Sequence, residues 1–393
     1  MKIKKLTILL IIIIFISSCQ QTQETNVTQK QFSFNAQDQL NNMTLEERIG
    51  QLFIIRPESL NSSLNPKQVH DPSQYGQINC NSNILSMLKD YPVGGIVMFS
   101  KNISSPTQIQ SYIQELQNAS DIPLFIGIDE EGGQVSRLAN TSGFHVKKYK
   151  NMTEIGNTNN PDNAKDVGLQ IGSYLQKHGF NLDFAPDADV NTNPQNPIVG
   201  TRSFGSDPQL VGKMVSAAIE GFHNADIMTC IKHFPGHGDT QNDTHLGYAS
   251  TNKDWQEMLN CEIIPFQMGI KAKTDMVMVS HITATRVSSD HLPASLSYEI
   301  VTQKLRHELN YDGIVITDSL AMQAITDHYD SKEAAIKAFQ AGSDILLMPE
   351  NYKEAFDGLM SAVKNGIISE QQINQSVLKI LKLKEKYLSK KDA

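Results

Sequence analysis

Residues 231–245, Ile-Lys-His-Phe-Pro-Gly-His-Gly-Asp-Thr-Gln-Asn-Asp-Thr-His, gather three histidines, two aspartates and a lysine within fifteen positions. An apolar run over residues 227–231 leads directly into them. The pattern predicts a short buried strand emptying into a long polar loop broken by Pro235 and Gly236. Such loops are uncommon in compact domains unless they do chemistry. Imidazoles, carboxylates and an ammonium at this density could hold a metal, relay protons or grip a hydroxyl-rich ligand.

Three chemistries compete for these residues. A metal hydrolase would use His233, His237 and His245 as ligands with Asp239 or Asp243. Pro235 and Gly236 break any helix, so His233 and His237 cannot form the helical pair of an HExxH site, and no metal is expected. A serine or cysteine nucleophile would need an elbow such as GxSxG, which is missing. Glycoside hydrolysis needs one group to attack the anomeric carbon and another to protonate the leaving oxygen. Asp318 suits the first task. It ends the apolar run 313–317, where an acid is costly unless its charge is used. The competing reading of Asp318 is an N-cap for a following helix.

Eight apolar runs must position these groups: residues 51–55, 95–99, 124–128, 181–185, 227–231, 276–280, 313–317 and 344–348. Their near-continuous Ile, Val, Leu, Phe and Met content fits parallel strands buried on both faces. Helical patterns lie between them at 106–119, 161–178, 208–225, 255–272, 298–309 and 332–341, several opened by Ser-Pro, Asn-Pro or Asp-Pro. Closing helices are expected at 351–365 and 370–388, and residues 57–79 read as a loop inserted after the first strand. The alternation predicts an α/β fold, a (β/α)8 TIM-type barrel. A doubly wound sheet is the alternative, but no GxGxxG or GxxxxGK[ST] follows an early strand. Barrel enzymes work at the C-terminal ends of their strands. There this sequence places Asp129, Glu130 and Glu131, then Asp187 and Asp189, Lys232 and His233, His281, and Asp318. That convergence points to an enzyme.

The 393 residues carry 34 basic and 42 acidic side chains, a net charge of −8, and no basic stripe beyond Lys147, Lys148 and Lys150. Nucleic acid is therefore not expected as a partner. The N-terminus has lysines at positions 2, 4 and 5, an apolar stretch from Leu6 to Ile16, and Ser17-Ser18-Cys19. This is a secretory signal too short to remain as a membrane span. Its end resembles a bacterial lipobox, in which Cys19 would become the lipidated first residue. The expected layout is a signal peptide over 1–18, a polar tether over 19–35 and a catalytic barrel over 36–390. Cys80, Cys230 and Cys261 have no CxxC spacing and indicate neither a disulfide framework nor a thiolate metal site.

These motifs resemble glycoside hydrolase family 3, in its bacterial β-N-acetylglucosaminidase branch. Four segments carry the resemblance: residues 126–133 (IGIDEEGG), 200–204 (GTRSF), 232–238 (KHFPGHG) continuing to Asp243-Thr244-His245, and 317–322 (TDSLAM). The resemblance implies that Asp318 is the nucleophile of a covalent glycosyl–enzyme intermediate. It implies His245 as general acid/base with Asp243 orienting its ring, and Asp129, Arg137, Arg202, Lys232 and His233 as groups that bind the sugar. It implies no cofactor and no obligate protein partner. The substrate would be a β-linked N-acetylglucosamine of peptidoglycan (muropeptide) or chitin-type oligosaccharides, and the lipid on Cys19 would hold the protein to the membrane, outside the cytoplasm. Three departures from the family pattern stand out: Thr244 replaces the usual serine, Glu130 replaces Gln or His, which would bring an extra negative charge near the sugar, and the stretch from Ala139 to Met152 lacks the proline-containing pattern expected after Arg137. A β-glucosidase-type or phosphorolytic member is the alternative within the family, and a non-catalytic sugar-binding lipoprotein the alternative outside it.

Overall fold

Eight parallel strands form one sheet in which sequence neighbours pair: β1 (Phe53–Ile55), β2 (Gly95–Met98), β3 (Phe125–Ile128), β4 (Leu182–Asp183), β5 (Met228–Phe234), β6 (Met276–Val279), β7 (Ile314–Thr317) and β8 (Leu346–Leu347). The computed structural model describes residues 30–73, 76–240 and 249–389. β8 pairs with β1, and a parallel bridge between Ile316 and Ile345 ties it to β7, so the sheet closes on itself. The expected (β/α)8 barrel is what forms. Every residue of β1, β2, β3, β6 and β7 is buried, as parallel strands covered by helices outside and packed side chains inside should be.

The outer helices begin where their caps place them. Ser105 accepts the Gln108 N–H ahead of Pro106–Ala119, and Asn160 and Asp207 do the same for Pro161–Lys177 and Pro208–His223. Four expectations need correction. Gln51 closes the helix Leu45–Gln51, so the first strand starts later than its apolar run. The pattern over 255–272 is two helices, Trp255–Leu259 and Ile263–Lys271. Residues 57–79 contain a 3-10 turn, Pro57–Leu60, and a short helix, Pro66–His70. Most relevant to function, β5 does not stop at Ile231 but continues through Lys232, His233 and Phe234, all buried.

At the N-terminal pole the last helix, Glu370–Leu388, lies against the barrel floor. Lys384 is fully buried there and donates to Gln51 Oε1 at 2.6 Å and Gly94 O at 2.8 Å. Among the described residues no helix is long and apolar enough to cross a membrane. Cys19 and the signal region lie outside them.

Candidate active site

The C-terminal rim of the barrel encloses a cavity of about 450 Å³. Asp129, Glu131, Arg137, Arg202, Lys232, His233 and Asp318 all line it. A larger groove, about 1110 Å³, lies at the opposite pole beside the last turn of the final helix, and its walls mix amide side chains with Lys30, Lys177, His178, His223, Asp226 and Lys386. Most of the described residues that the sequence singles out for chemistry gather at the smaller one.

The local reason starts with β5. Ile231 pairs with Val277 and Phe234 with Val279, so β5 carries one more residue than β6 across that interval. Such a bulge re-aims side chains. Lys232 and His233 are adjacent, and both serve the rim. Lys232 Nζ lies 2.7 Å from Asp129 Oδ1 and 2.6 Å from Glu131 Oε1. Arg202 meets Glu131 with two bonds, Nε to Oε2 at 2.8 Å and Nη2 to Oε1 at 2.7 Å. Arg137 Nη2 stands 3.5 Å from Asp129 Oδ2. Buried charges on this scale persist only when paired.

The electrostatics follow from those pairings. Burial pushes the Asp129 carboxyl up, but Lys232 and Arg137 outweigh it and hold the group below the usual carboxylate range. Glu131 is treated the same way: burial raises it, and Arg202 and Lys232 bring it lower. Burial, helped by Arg202, pushes His233 down to about 4, so its ring is neutral. Arg202 Nη2 approaches His233 Nε2 at 3.3 Å, and Asp189 Oδ2 lies 2.7 Å from Nδ1. An arginine can only donate, so the network assigns the proton to Nδ1. Burial and the neighbouring Asp189 raise Asp187 far above an ordinary carboxyl.

Asp318 is half-buried at the end of β7, where its N–H donates to Val279 O at 2.8 Å and its Oδ1 accepts the Ser319 N–H at 2.7 Å. The helix that follows, Gln323–Thr326, has Met322 at its N-cap, so the capping alternative for Asp318 falls away. His281, also at a strand end, does not line the cavity. It is fully buried, with Nε2 2.8 Å from Ser319 O and Nδ1 2.7 Å from Ser295 Oγ, and it holds the turn that follows Asp318. Asp243 and His245 lie outside the described residues.

Glu130 corrects an expectation. It brings no charge toward the sugar side: its carboxylate accepts the N–H groups of Arg137, Leu138 and Ala139 and the Tyr174 hydroxyl. Its neighbour Glu131 carries the rim role instead. Arg56, His70 and Phe99 were missed altogether. Arg56 stacks 3.8 Å above the Phe99 ring, and burial lowers it to about 10. Burial and then Arg56 push His70 down to about 4. Arg56 directly follows the first strand, so the rim rule applied to that strand would have found it.

Asp187, Asp189 and His233 place ligand-type atoms within 4.8 Å of one another, the nearest approach to a metal site among the described residues. Asp189 and His233 are already hydrogen-bonded, and Asp187 Oδ2, which accepts no hydrogen bond among the described residues, faces a guanidinium. Asp189 takes His233 Nδ1 and, at 2.6 Å, the His237 N–H, while Arg202 Nε stands 3.6 Å from Asp187 Oδ2. A guanidinium supplies the positive charge that an ion would bring.

The sequence of residues 44–383 matches the glycosyl hydrolase family 3 N terminal domain. The chain belongs to that family. Among its relatives, beta-hexosaminidase A of Pseudoalteromonas piscicida is 34% identical over 328 residues, covering 76% of this chain and 54% of that protein. This family 3 chain therefore spans about half the length of that relative. A solved family 3 beta-N-acetylglucosaminidase from Paenibacillus sp. str. FPU-7 superimposes with a TM-score of 0.79 at 35% identity, over 88% of this chain and 63% of that one. A beta-glucoside phosphorylase, BglX, superimposes with a TM-score of 0.76 at 25% identity, over 90% of this chain and 60% of that one.

Proposed function

We propose that this chain is a retaining exo-β-N-acetylglucosaminidase that removes terminal non-reducing β-linked N-acetylglucosamine from muropeptide or chitin-type oligosaccharides. The observation that carries the reading is Asp318, a half-buried carboxylate facing a cavity floored by the paired charges of Asp129, Lys232, Glu131 and Arg202. The names of the relatives support the sugar class.

In this reaction Asp318 attacks the anomeric carbon while His245 protonates the glycosidic oxygen. The bond to the leaving sugar breaks and a glycosyl–aspartate ester forms. His245 then takes a proton from water, whose oxygen displaces Asp318, so two inversions return the β configuration. Asp243 orients the imidazole and stabilises its charged form. Asp129 accepts from sugar hydroxyls, while Arg137, Arg202 and Lys232 donate to them with the hydrogens their ion pairs leave over. Neutral His233 adds a polar edge. Lipid on Cys19 holds the enzyme in the cell envelope, facing outside the cytoplasm.

The test is the anomeric configuration of the first product by NMR, with Asp318→Ala measured alongside. Retention, and nearly complete loss of turnover in the variant, are expected. An inverted product, or near-normal turnover in Asp318→Ala, refutes the mechanism. The likeness to a phosphorylase supports a second reading, with phosphate in place of water as acceptor. Turnover that rises steeply in phosphate buffer with release of a sugar phosphate would favour it.

A further inference from the structure

The turn that carries Asp318 is clamped from both sides. On one side lies β6: Val279 O accepts the Asp318 N–H at 2.8 Å, and His281, just beyond the strand, reaches Ser319 O with Nε2 at 2.8 Å. On the other side lies β8, where Leu347 O accepts the Leu320 N–H at 2.9 Å and the Thr317 hydroxyl accepts the Leu347 N–H at 3.0 Å. Ser319 O also takes the Met322 N–H at 3.0 Å, which closes the turn. Ser319 in turn donates its own N–H to Asp318 Oδ1 at 2.7 Å. The residue that fixes one oxygen of the carboxylate is thus itself fixed by an imidazole.

That imidazole has a settled hydrogen-bond pattern. A carbonyl oxygen only accepts, so His281 Nε2 bears the hydrogen and, in the neutral ring, Nδ1 accepts from Ser295 Oγ at 2.7 Å. Ser295 is fully buried and held in place by its N–H, which donates to Ser280 O at 3.0 Å. His281 is fully buried as well, and neither side chain lines the cavity. Burying a polar ring is offset only by its hydrogen bonds, and one of these two ends on the residue beside the proposed nucleophile.

We infer that His281, oriented by Ser295, is a positioning residue for the nucleophile: by holding Ser319 it aims the Asp318 carboxylate at the anomeric carbon. The inference rests on the nucleophile reading of Asp318. Attack needs the carboxylate oxygen about 3–3.5 Å from the anomeric carbon and in line with it, and a misplacement of about 1 Å can cost roughly 10²-fold. The sugar itself is held from other strands, by Asp129, Arg202 and Lys232. Loss of the imidazole should therefore fall on attack and not on sugar binding.

The test measures kcat/KM of the intact enzyme on an N-acetylglucosaminide with an activated phenol as leaving group and on a disaccharide with N-acetylglucosamine at its non-reducing end. The inhibition constant of free N-acetylglucosamine gauges sugar binding. His281→Met is expected to lower kcat/KM about 10- to 100-fold on both substrates, since both need the attack, and to leave the inhibition constant within about twofold. His281→Gln, whose carboxamide N–H can reach Ser319 O, should recover most of the loss. Ser295→Ala, which removes one bond to the ring, should cost about three- to tenfold on both substrates, and it keeps the inference testable where His281→Met does not fold. A loss confined to the disaccharide, an inhibition constant that rises in step with the loss, a His281→Gln no better than His281→Met, or an unchanged Ser295→Ala overturns the inference. Asp318→Ala serves as reference. If it abolishes turnover while His281→Met does not lower it, the positioning role alone falls. If Asp318→Ala stays near normal, the nucleophile reading falls and takes this inference with it.

Discussion

His233 offers Nδ1 to Asp189 Oδ2 across 2.7 Å, while Arg202 stands 3.3 Å from the ring's other nitrogen. The ring is neutral and its two nitrogens have opposite roles, so Asp189 decides which tautomer meets the cavity. Asp189→Asn removes that control. We expect kcat/KM to fall about 10- to 100-fold, short of the ~10⁴ lost when a wrong tautomer disables a proton-transferring histidine. Steady-state kinetics checks the number, and a change below about twofold would mean the tautomer does not matter.

Glu131 meets two cations, the buried Lys232 and the partly buried Arg202. Glu131→Gln leaves them short of one negative charge, a loss on the order of 3 kcal/mol of stability at neutral pH. The pH dependence has a definite sign. The folded carboxyl is held below its ordinary value, so in moderately acidic solution the unfolded chain binds a proton that the folded one refuses. Its stabilisation is therefore present above the unfolded pKa of about 4.3 and is lost as pH falls through the folded one. Urea unfolding should show the gap between wild type and variant shrinking from pH 7 toward pH 3.

Metal removal should have no effect on turnover. The nearest candidate donors, Asp187, Asp189 and His233, already bond to one another and to Arg202. An ion entering there would have to displace a guanidinium and the proton on His233 Nδ1. Dialysis against EDTA followed by assay, with and without added zinc, tests this. Activity abolished by EDTA and restored by zinc would force His245 out of its acid/base role.

The barrel was legible in the sequence because most strands lie in near-continuous apolar runs and the helices from Pro106, Pro161 and Pro208 each open with a cap and a proline. Helix Pro106–Ala119 keeps the bounds its pattern suggests. The rim was legible for the same reason, since polar groups that directly follow apolar runs have one place to go. The failures are local. Lys232 and His233 look like loop residues because charge is not expected inside a strand. A bulge and four ionic partners make it tolerable. Glu130 and Glu131 are adjacent carboxylates, and only the backbone course decides which faces the cavity and which caps the N–H groups of residues 137–139. Arg56 immediately precedes, and His70 lies within, a polar stretch whose composition suggests a surface insertion. Composition carries no record of what that stretch folds back upon.

Cys19 offers a prediction from sequence chemistry alone. The lysine-led apolar stretch ends in Ser-Ser-Cys and passes into a polar tether. The expected mature chain begins at Cys19 and carries more than one acyl chain, because a single chain binds membranes only marginally. Cys19→Ala should move the enzyme from the membrane fraction to the soluble one. Mass spectrometry showing an unmodified chain that begins after Cys19 would contradict the anchor.

Lys384 is the last test, and it concerns the opposite pole. Its ammonium is fully buried, donates to Gln51 Oε1 and Gly94 O, and has no carboxylate among its hydrogen-bond partners. Burial lowers its pKa well below the ordinary lysine value. The Phe125 ring 4.8 Å away favours the charged form, but one ring face does not replace a lost hydration shell. Two acceptors also match the two N–H groups of a neutral amine. Between the folded pKa and about 10.4 the unfolded chain binds a proton that the folded chain does not, so stability rises with pH across that window. The slope approaches roughly 1.4 kcal/mol per pH unit for one proton. Lys384→Met removes it, at the cost of leaving Gln51 Oε1 and Gly94 O unpaired. The melting temperature of Lys384→Met relative to wild type should therefore be higher at pH 7 than at pH 9, whatever its sign at either. A difference that does not change between the two pH values would mean that Lys384 keeps its charge inside the barrel floor.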